Sequence, residues 1–449
     1  MPALPRSVRL LAALAVLAWS ACSGLALAQA GAEFNPEGRM LDSRLGVVHV
    51  GPQYPDRTRE GDLLVYGAET AAALGFQTLE VFLDPRICRA ANGTTVIGSL
   101  YQTGKYCDPR NPARMLARDL ATLAAHPDYA TVFSDPRIRR YVISFDPLNP
   151  KAANQSLISK LDRDWSKAEL QLLSSEVRQL TAHLLETYEG TGKQFILSAP
   201  SEMDWHLTSV GTARGGCNRG DESCAATDAD PQAVRNMIVY LNTIQDAIAA
   251  GRRDAEQTGN VSVWQACEVN FVVRADSALK TGLSEVIPRT RCDFVAWSAH
   301  EAFREIQAQS DRNAAIRRAG REDVDPTYVD RPEDLIRRGL DRISSFPPKG
   351  KLPGYKDIFI GEIGFKENHD SLDVFLSTLH GALDWGVAFV ELWELFDNSC
   401  RMFNPTEAEA VGARGCKGFW LLRPGPTPNS LVASPLLAAL YDQFSTPAR

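Results

Sequence analysis

The stretch DIFIGEIGFKEN, Asp357 to Asn368, reads at first as a strand buried on both faces, Ile358-Phe359-Ile360-Gly361, and then places an acid, Glu362, at its end. Burying a carboxylate is expensive unless it is paired, hydrogen-bonded or put to chemical use. Gly361 and Gly364 flank the acid and remove side chains that would crowd it. A core strand ending on such an acid points to a sheet whose strand ends carry chemistry.

Seven more apolar runs of strand length lie along the chain: 45–50 (LGVVHV), 76–83 (FQTLEVFL), 140–145 (RYVISF), 194–199 (QFILSA), 261–269 (VSVWQACEV), 293–299 (DFVAWSA) and 387–395 (VAFVELWEL). Between them the apolar residues recur at helical spacing, as in 112–126, 167–189, 231–257, 331–346 and 371–386, with a last helix at 434–444. Strands alternating with helices imply parallel neighbours joined by crossovers. Eight such strands close as a single (β/α)8 TIM barrel, an α/β fold. The alternative, an open doubly wound sheet, would carry a Gly-rich phosphate turn after its first strand, and GVVHVGPQYP is not G-x-G-x-x-G. With no internal repeat or linker, one barrel is expected over residues 31–449. The segments after 199, 299 and 395 read as long polar βα loops, and the glycine-rich stretch 207–230 reads as a stapled loop facing the substrate.

Hydrophobic residues make up 44% of the 449 and charged residues 23%, with a formal net charge of −7, which argues against a nucleic-acid surface. Residues 1–30 combine a basic start (Arg6, Arg9), an apolar run and small residues at Ala28 and Ala30, the pattern of an export signal peptide cut after Ala30. Lipid attachment at Cys22 is the minor alternative. The expectation is therefore a secreted or periplasmic protein with no transmembrane anchor once the signal is removed. Loss of Cys22 leaves eight cysteines in an oxidising compartment. They fall into neighbouring couples, Cys88 and Cys107, Cys217 and Cys224, Cys267 and Cys292, Cys400 and Cys416, and short loops favour pairing within each couple. No C-x-x-C supports a metal reading instead.

In QFILSAPSEMDW a second acid, Glu202, follows the end of the fourth strand. Two carboxylates at one barrel mouth are the equipment of glycoside hydrolysis, their pKa values driven apart by environment. Together with Glu362 ending the seventh strand and Trp393 in VELWELFDN on the eighth, this layout resembles the clan A glycoside hydrolases, the retaining (β/α)8 enzymes. The C-terminal GCKGFWLLRPGPTPNSLVASPLLAAL resembles the ending common in that clan. The resemblance implies that Glu202 is the acid/base and Glu362 the nucleophile, with no metal or cofactor, acting on a carbohydrate substrate. Two positions depart from the pattern. Ser201 stands where the clan usually has Asn, and His300 in AWSAHEAF occupies the place of a Tyr or His near the nucleophile.

Further candidates for lining the pocket are Glu268 and Asn270 at the end of the fifth strand, Trp205 and Trp420 as sugar platforms, and Glu80, Asp84, His49 and Asp146 at other strand ends. Of Glu391 and Glu394, strand alternation sends only one to the pocket. A metal-dependent barrel is disfavoured by seven scattered histidines with no H-x-H or H-E-x-x-H, and a serine hydrolase by the missing G-x-S-x-G. The competing reading is a catalytically idle barrel that binds a cell-envelope or extracellular glycan, which Ser201 would suit. Four staples and a closed barrel fit a monomer.

Overall fold

The computed structural model describes residues 34–35, 37–50, 63–83, 86–89, 95–97, 115–116, 119–145, 157–208, 227–255, 259–273, 278–319, 331–346, 357–398, 400, 416–427 and 430–446. Asp84, Asp146, residues 1–30, Cys107 and the couple Cys217/Cys224 fall outside what it describes, and with Cys107 the expected Cys88–Cys107 pair. Eight strands form a closed barrel in chain order: β1 (Leu45–His49), β2 (Thr78–Leu83), β3 (Arg140–Phe145), β4 (Gln194–Ser198), β5 (Ser262–Val269), β6 (Phe294–Ser298), β7 (Ile358–Gly364) and β8 (Val390–Trp393). All neighbours are parallel, and β8 closes on β1 with Val390 opposite Leu45.

Alternation along each strand divides the apolar residues into two cores. Inward residues, among them Val142, Ile196, Ala266, Phe294, Phe359 and Phe389, fill the barrel. Outward ones pack under the helices in a much larger shell. The N-terminal end of the barrel is closed by Arg140, whose guanidinium lies 4.5 Å over the Phe389 ring and donates to Gln194 Oε1 and Thr78 Oγ1, both at 3.1 Å. The βα connections leave the strands at the other end.

The helices carry their own start and stop signals. Lys167–Thr187 begins on a Ser166/Glu169 capping box, Pro231–Asp254 on Asp230 followed by proline, and Leu372–Trp385 starts on Ser371 and stops at Gly386, φ 95°. The segment after β6, expected as a polar loop, is instead the helix His300–Arg318. Its regular charged residues form a solvated face rather than a loop. Leu63–Ala73, a short apolar helix with little amphipathic contrast, also escapes a reading by period because eight of its residues are buried. Two expected disulfides are present, Cys267–Cys292 and Cys400–Cys416. After β8 the chain makes an antiparallel pair, Leu422–Pro424 with Leu431–Ala433, and the helix Pro435–Phe444. No helix of the described residues is long and apolar enough to cross a membrane.

Candidate active site

Glu362 reaches the barrel interior through a bulge. Up to Ile360 the register of β7 on β6 is regular, but Ser298 then pairs with Glu362 rather than with Gly361. Simple alternation after inward Phe359 and outward Ile360 would send Glu362 outward; the extra residue turns it in. Glu362 is 5% exposed. Only one of its two glycines is sterically required. A Cβ on Gly364 would lie 2.5 Å from Phe419 Cε1 and 2.8 Å from His300 Cε1, whereas one on Gly361 would meet nothing closer than 3.4 Å.

Glu202 sits just beyond β4, after a cis Ala199–Pro200 bond, and has φ 50°. A non-glycine residue there is held at a local cost of roughly 1–2 kcal/mol. Its backbone N–H donates to Glu268 Oε1 at 3.3 Å. The next turn, the helix Met203–Thr208, is fixed by Asp204, whose Oδ2 accepts the N–H groups of Asn270 (2.9 Å) and Phe271 (3.1 Å) while Oδ1 accepts that of Gly282. Asp204 N–H in turn donates to Asn270 Oδ1 at 3.2 Å. The side chain of Asn270 thus holds the loop helix in place.

One hydroxyl joins the two acids. Ser298 Oγ is 3.3 Å from Glu202 Oε1 and 3.3 Å from Glu362 Oε2. Those two oxygens are therefore no more than about 6.6 Å apart (twice 3.3 Å), and about 5–6 Å at the angles a hydroxyl oxygen accepts. A hydroxyl has a single proton to donate, so both contacts are made together only when one carboxyl is protonated and donates to Oγ while Oγ donates to the other. His300 Nε2 lies 3.6 Å from Glu362 Oε2. The ring meets Trp393 and Phe419 edge-on, centroids 5.9 and 5.6 Å away. The Trp393–Glu394 peptide is cis.

More acid lies beneath. Glu80 pairs in register with the inward Val142 and accepts Ser144 Oγ–H at 2.7 Å. Glu268 is opposite the inward Ala296, and Glu391 packs by the Gly46 backbone. All three are 3% exposed or less. Burial first, and then the neighbouring acids, push each of their carboxyls well above the ordinary carboxylate range. Glu394 is raised too, chiefly by burial, and its Oε1 accepts the N–H of Asn398. Glu391 and Glu394 are both buried within electrostatic reach of Glu362, and the strand ends between them at Trp393, so simple alternation does not carry from one to the other.

The other expected residues scatter. Ser201 and Trp205 are half-buried at the mouth, Trp205 edge-on to Phe271 at 4.8 Å. Trp420 is 1% exposed and donates to Glu367 Oε2, which leaves it no open face. His49 points out of the barrel to the Leu63 carbonyl, 2.9 Å from Nε2, and burial lowers its pKa to about 4. The unanticipated member is Ser298. Its signal was available, since it lies two and four residues after the inward Ala296 and Phe294. Among the described residues the grouping nearest to a metal set is Asp397 with Cys400 and Cys416, and those two sulfurs are joined to each other.

No family model matches the chain, and no curated protein does. Among solved structures it is similar to the β-glycosidase BGL167 (15% identity, TM-score 0.46, covering 90% of this chain and 95% of that one). It is also similar to a Bacteroidetes-affiliated GH5 cellulase linked with a polysaccharide utilization locus (14%, 0.43, 94% and 98%) and to a hyperthermophilic β-glucosidase from Pyrococcus furiosus (11%, 0.46, 89% and 94%). At such identities and scores the likeness assigns no activity, which has to come from the side chains.

Proposed function

We propose that the chain is an exported glycoside hydrolase that works with retention of configuration, Glu362 as nucleophile and Glu202 as acid/base. The observation that carries this reading is the shared Ser298 hydroxyl, which keeps the two carboxyl oxygens within about 6.6 Å, a span that admits the roughly 5–5.5 Å of retaining pairs and excludes nearly all of the roughly 6.5–9.5 Å of inverting ones. Ser298 and His300 both address Glu362 Oε2, so Oε1 is the oxygen offered to the anomeric carbon.

In the first step Glu362 Oε1 bonds to that carbon as its bond to the leaving oxygen breaks, and the Glu202 proton passes to the leaving oxygen. In the second, water gives a proton to Glu202 and its oxygen replaces Glu362 on the anomeric carbon. Trp393 beside His300 supplies an aromatic face for the ring being cleaved. Export fits the signal-like first thirty residues and the two disulfides.

The test is a panel of aryl glycosides and polysaccharides assayed with the native protein and with Glu362→Gln and Glu202→Gln. Turnover that Glu362→Gln abolishes while glycan binding persists supports the reading. Glycan binding by the native protein with no turnover on any member identifies the idle glycan-binding barrel instead.

A further inference from the structure

The floor of the barrel mouth is acidic far beyond what two-carboxylate hydrolysis requires. Under Glu202 and Glu362 lie Glu80 from β2, Glu268 from β5 and Glu391 from β8. The cationic side chains that reach these acids from the packed elements, among the described residues, are few. Arg140 acts on Glu391 from the closed end, where its own hydrogen bonds go to Gln194 and Thr78. His300 is beside Glu362, and Lys417 acts only on Glu394. β1, β4 and β6 contribute no charged group to the floor from within their strands.

Two buried polar side chains facing the same space have no hydrogen-bond partner. Neither oxygen of Glu391 has one, and Glu391 is 0% exposed. Ser198 Oγ has none either, at 1% exposure. Ser198 is in register with Ser144, whose hydroxyl bonds Glu80, so the two serines share the inward face. A neutral sugar brings hydroxyls that would satisfy a serine, but it brings no charge that would let these buried acids ionise.

We propose that the sugar this pocket takes is cationic: an amino sugar whose ammonium group is held by Glu80, Glu268 and Glu391, with Ser198 accepting from it or from a neighbouring hydroxyl. This rests on the glycosidase reading for its site and names the substrate class. The raised carboxyls of the floor hold their protons, because burial and neighbouring acids disfavour charge. A bound ammonium reverses that balance, so binding releases protons, and the affinity for the cation rises as pH rises toward neutrality while the ammonium stays charged.

The experiment is a calorimetric titration of the wild-type protein at pH 6.5 with glucosamine, galactosamine and mannosamine, each beside its parent hexose and its N-acetyl form, in phosphate and in HEPES. The expected result is that at least one amino sugar binds about 10- to 100-fold more tightly than both its counterparts, the span of a charge-assisted hydrogen bond or two. The buffer dependence should report net proton release, and Glu80→Gln should erase the advantage. The wild-type comparison stands even if that variant fails to fold. If none of the three amino sugars outbinds its parent, the proposal is wrong, and hydrolysis of a neutral glycan by the same protein would leave the glycosidase reading intact. An amino sugar bound with this preference by a protein that hydrolyses nothing would do the reverse.

Discussion

Replacing Gly364 with alanine tests the site's packing without touching a charged group. The new Cβ would fall 2.5 and 2.6 Å from Phe419 Cε1 and Cδ1 and 2.8 Å from His300 Cε1. Carbon contacts settle near 3.5–4.0 Å, so the Phe419 ring has to retreat by about 1 Å. Its backbone N–H is held by Asp397 Oδ2 at 3.3 Å, and the ring lies against His300 and below Lys366 Nζ. The displacement is therefore passed on to His300, which loses its place 3.6 Å from Glu362. Overpacking of this kind costs about 1–3 kcal/mol, which should show as a lower urea midpoint with an unchanged slope. Gly361→Ala is the control, since its nearest neighbours would be Ala296 Cβ at 3.4 Å and Phe359 Cε2 at 3.5 Å. It should change stability by less than about 1 kcal/mol. Glycosidase turnover should fall at least about tenfold for Gly364→Ala and stay near native for Gly361→Ala, since a small misplacement of catalytic groups is enough. Equal midpoints and equal turnover in the two variants would refute the steric reasoning.

Ser298→Ala removes the hydroxyl shared by the two acids; kcat should drop about 10- to 100-fold with KM within about twofold, as expected for a hydrogen bond to a charged group, and steady-state kinetics on the best aryl glycoside would check it. An unchanged kcat would mean the bridge does not matter to the reaction. Glu176 accepts the Leu120 N–H at 2.7 Å, and burial raises its carboxyl to about 7 from an ordinary 4.5. The folded chain then holds this proton more tightly than the unfolded chain. Below 4.5 both states are protonated; as pH climbs from there to about 7 the native protein loses up to about 3 kcal/mol through this one group. Glu176→Gln should accordingly melt above the native protein at pH 8 and level with it at pH 4, and a crossing in the other direction would contradict the assignment. Removing the Cys267–Cys292 bond, which spans 25 residues and ties β5 to the start of β6, by the double serine variant should lower the unfolding free energy by about 3 kcal/mol in chemical denaturation; no change would show that the loop was already ordered without it.

All eight strands could be read as apolar runs, because a barrel strand buried on both faces leaves an uninterrupted hydrophobic signature that composition preserves. Four of the helices that escaped the sequence are ones whose period is blurred: Leu63–Ala73 is buried nearly all round, Pro127–Ser134 and Met203–Thr208 are short, and His300–Arg318 is mostly polar, with seven charged residues among its nineteen. Glu202 and Glu362 were legible as acids at strand ends, and the structure brings them together. Their facing was not. A bulge in β7 decides where Glu362 points, and a bulge is set by the pairing of two distant strands, which no local pattern records. The left-handed φ of Glu202 likewise depends on what surrounds it. Asn270 read as pocket lining in the sequence; that its side-chain oxygen also takes the Asp204 N–H from the short helix after β4 is a contact between distant segments that no local pattern records. Glu80, Glu268 and Glu391 read individually as strand acids; only the closed barrel reveals that they share one floor.

The most direct test is to trap the reaction midway with a panel of 5-fluoro-glycosyl fluorides, which form the glycosyl-enzyme faster than water removes it, and to locate the adduct by peptide mass mapping. A single added sugar on the peptide containing Glu362, absent in Glu362→Gln, is the predicted result. An adduct on another carboxyl, or hydrolysis of the same sugar with an inverted first-formed product and no adduct, would contradict it.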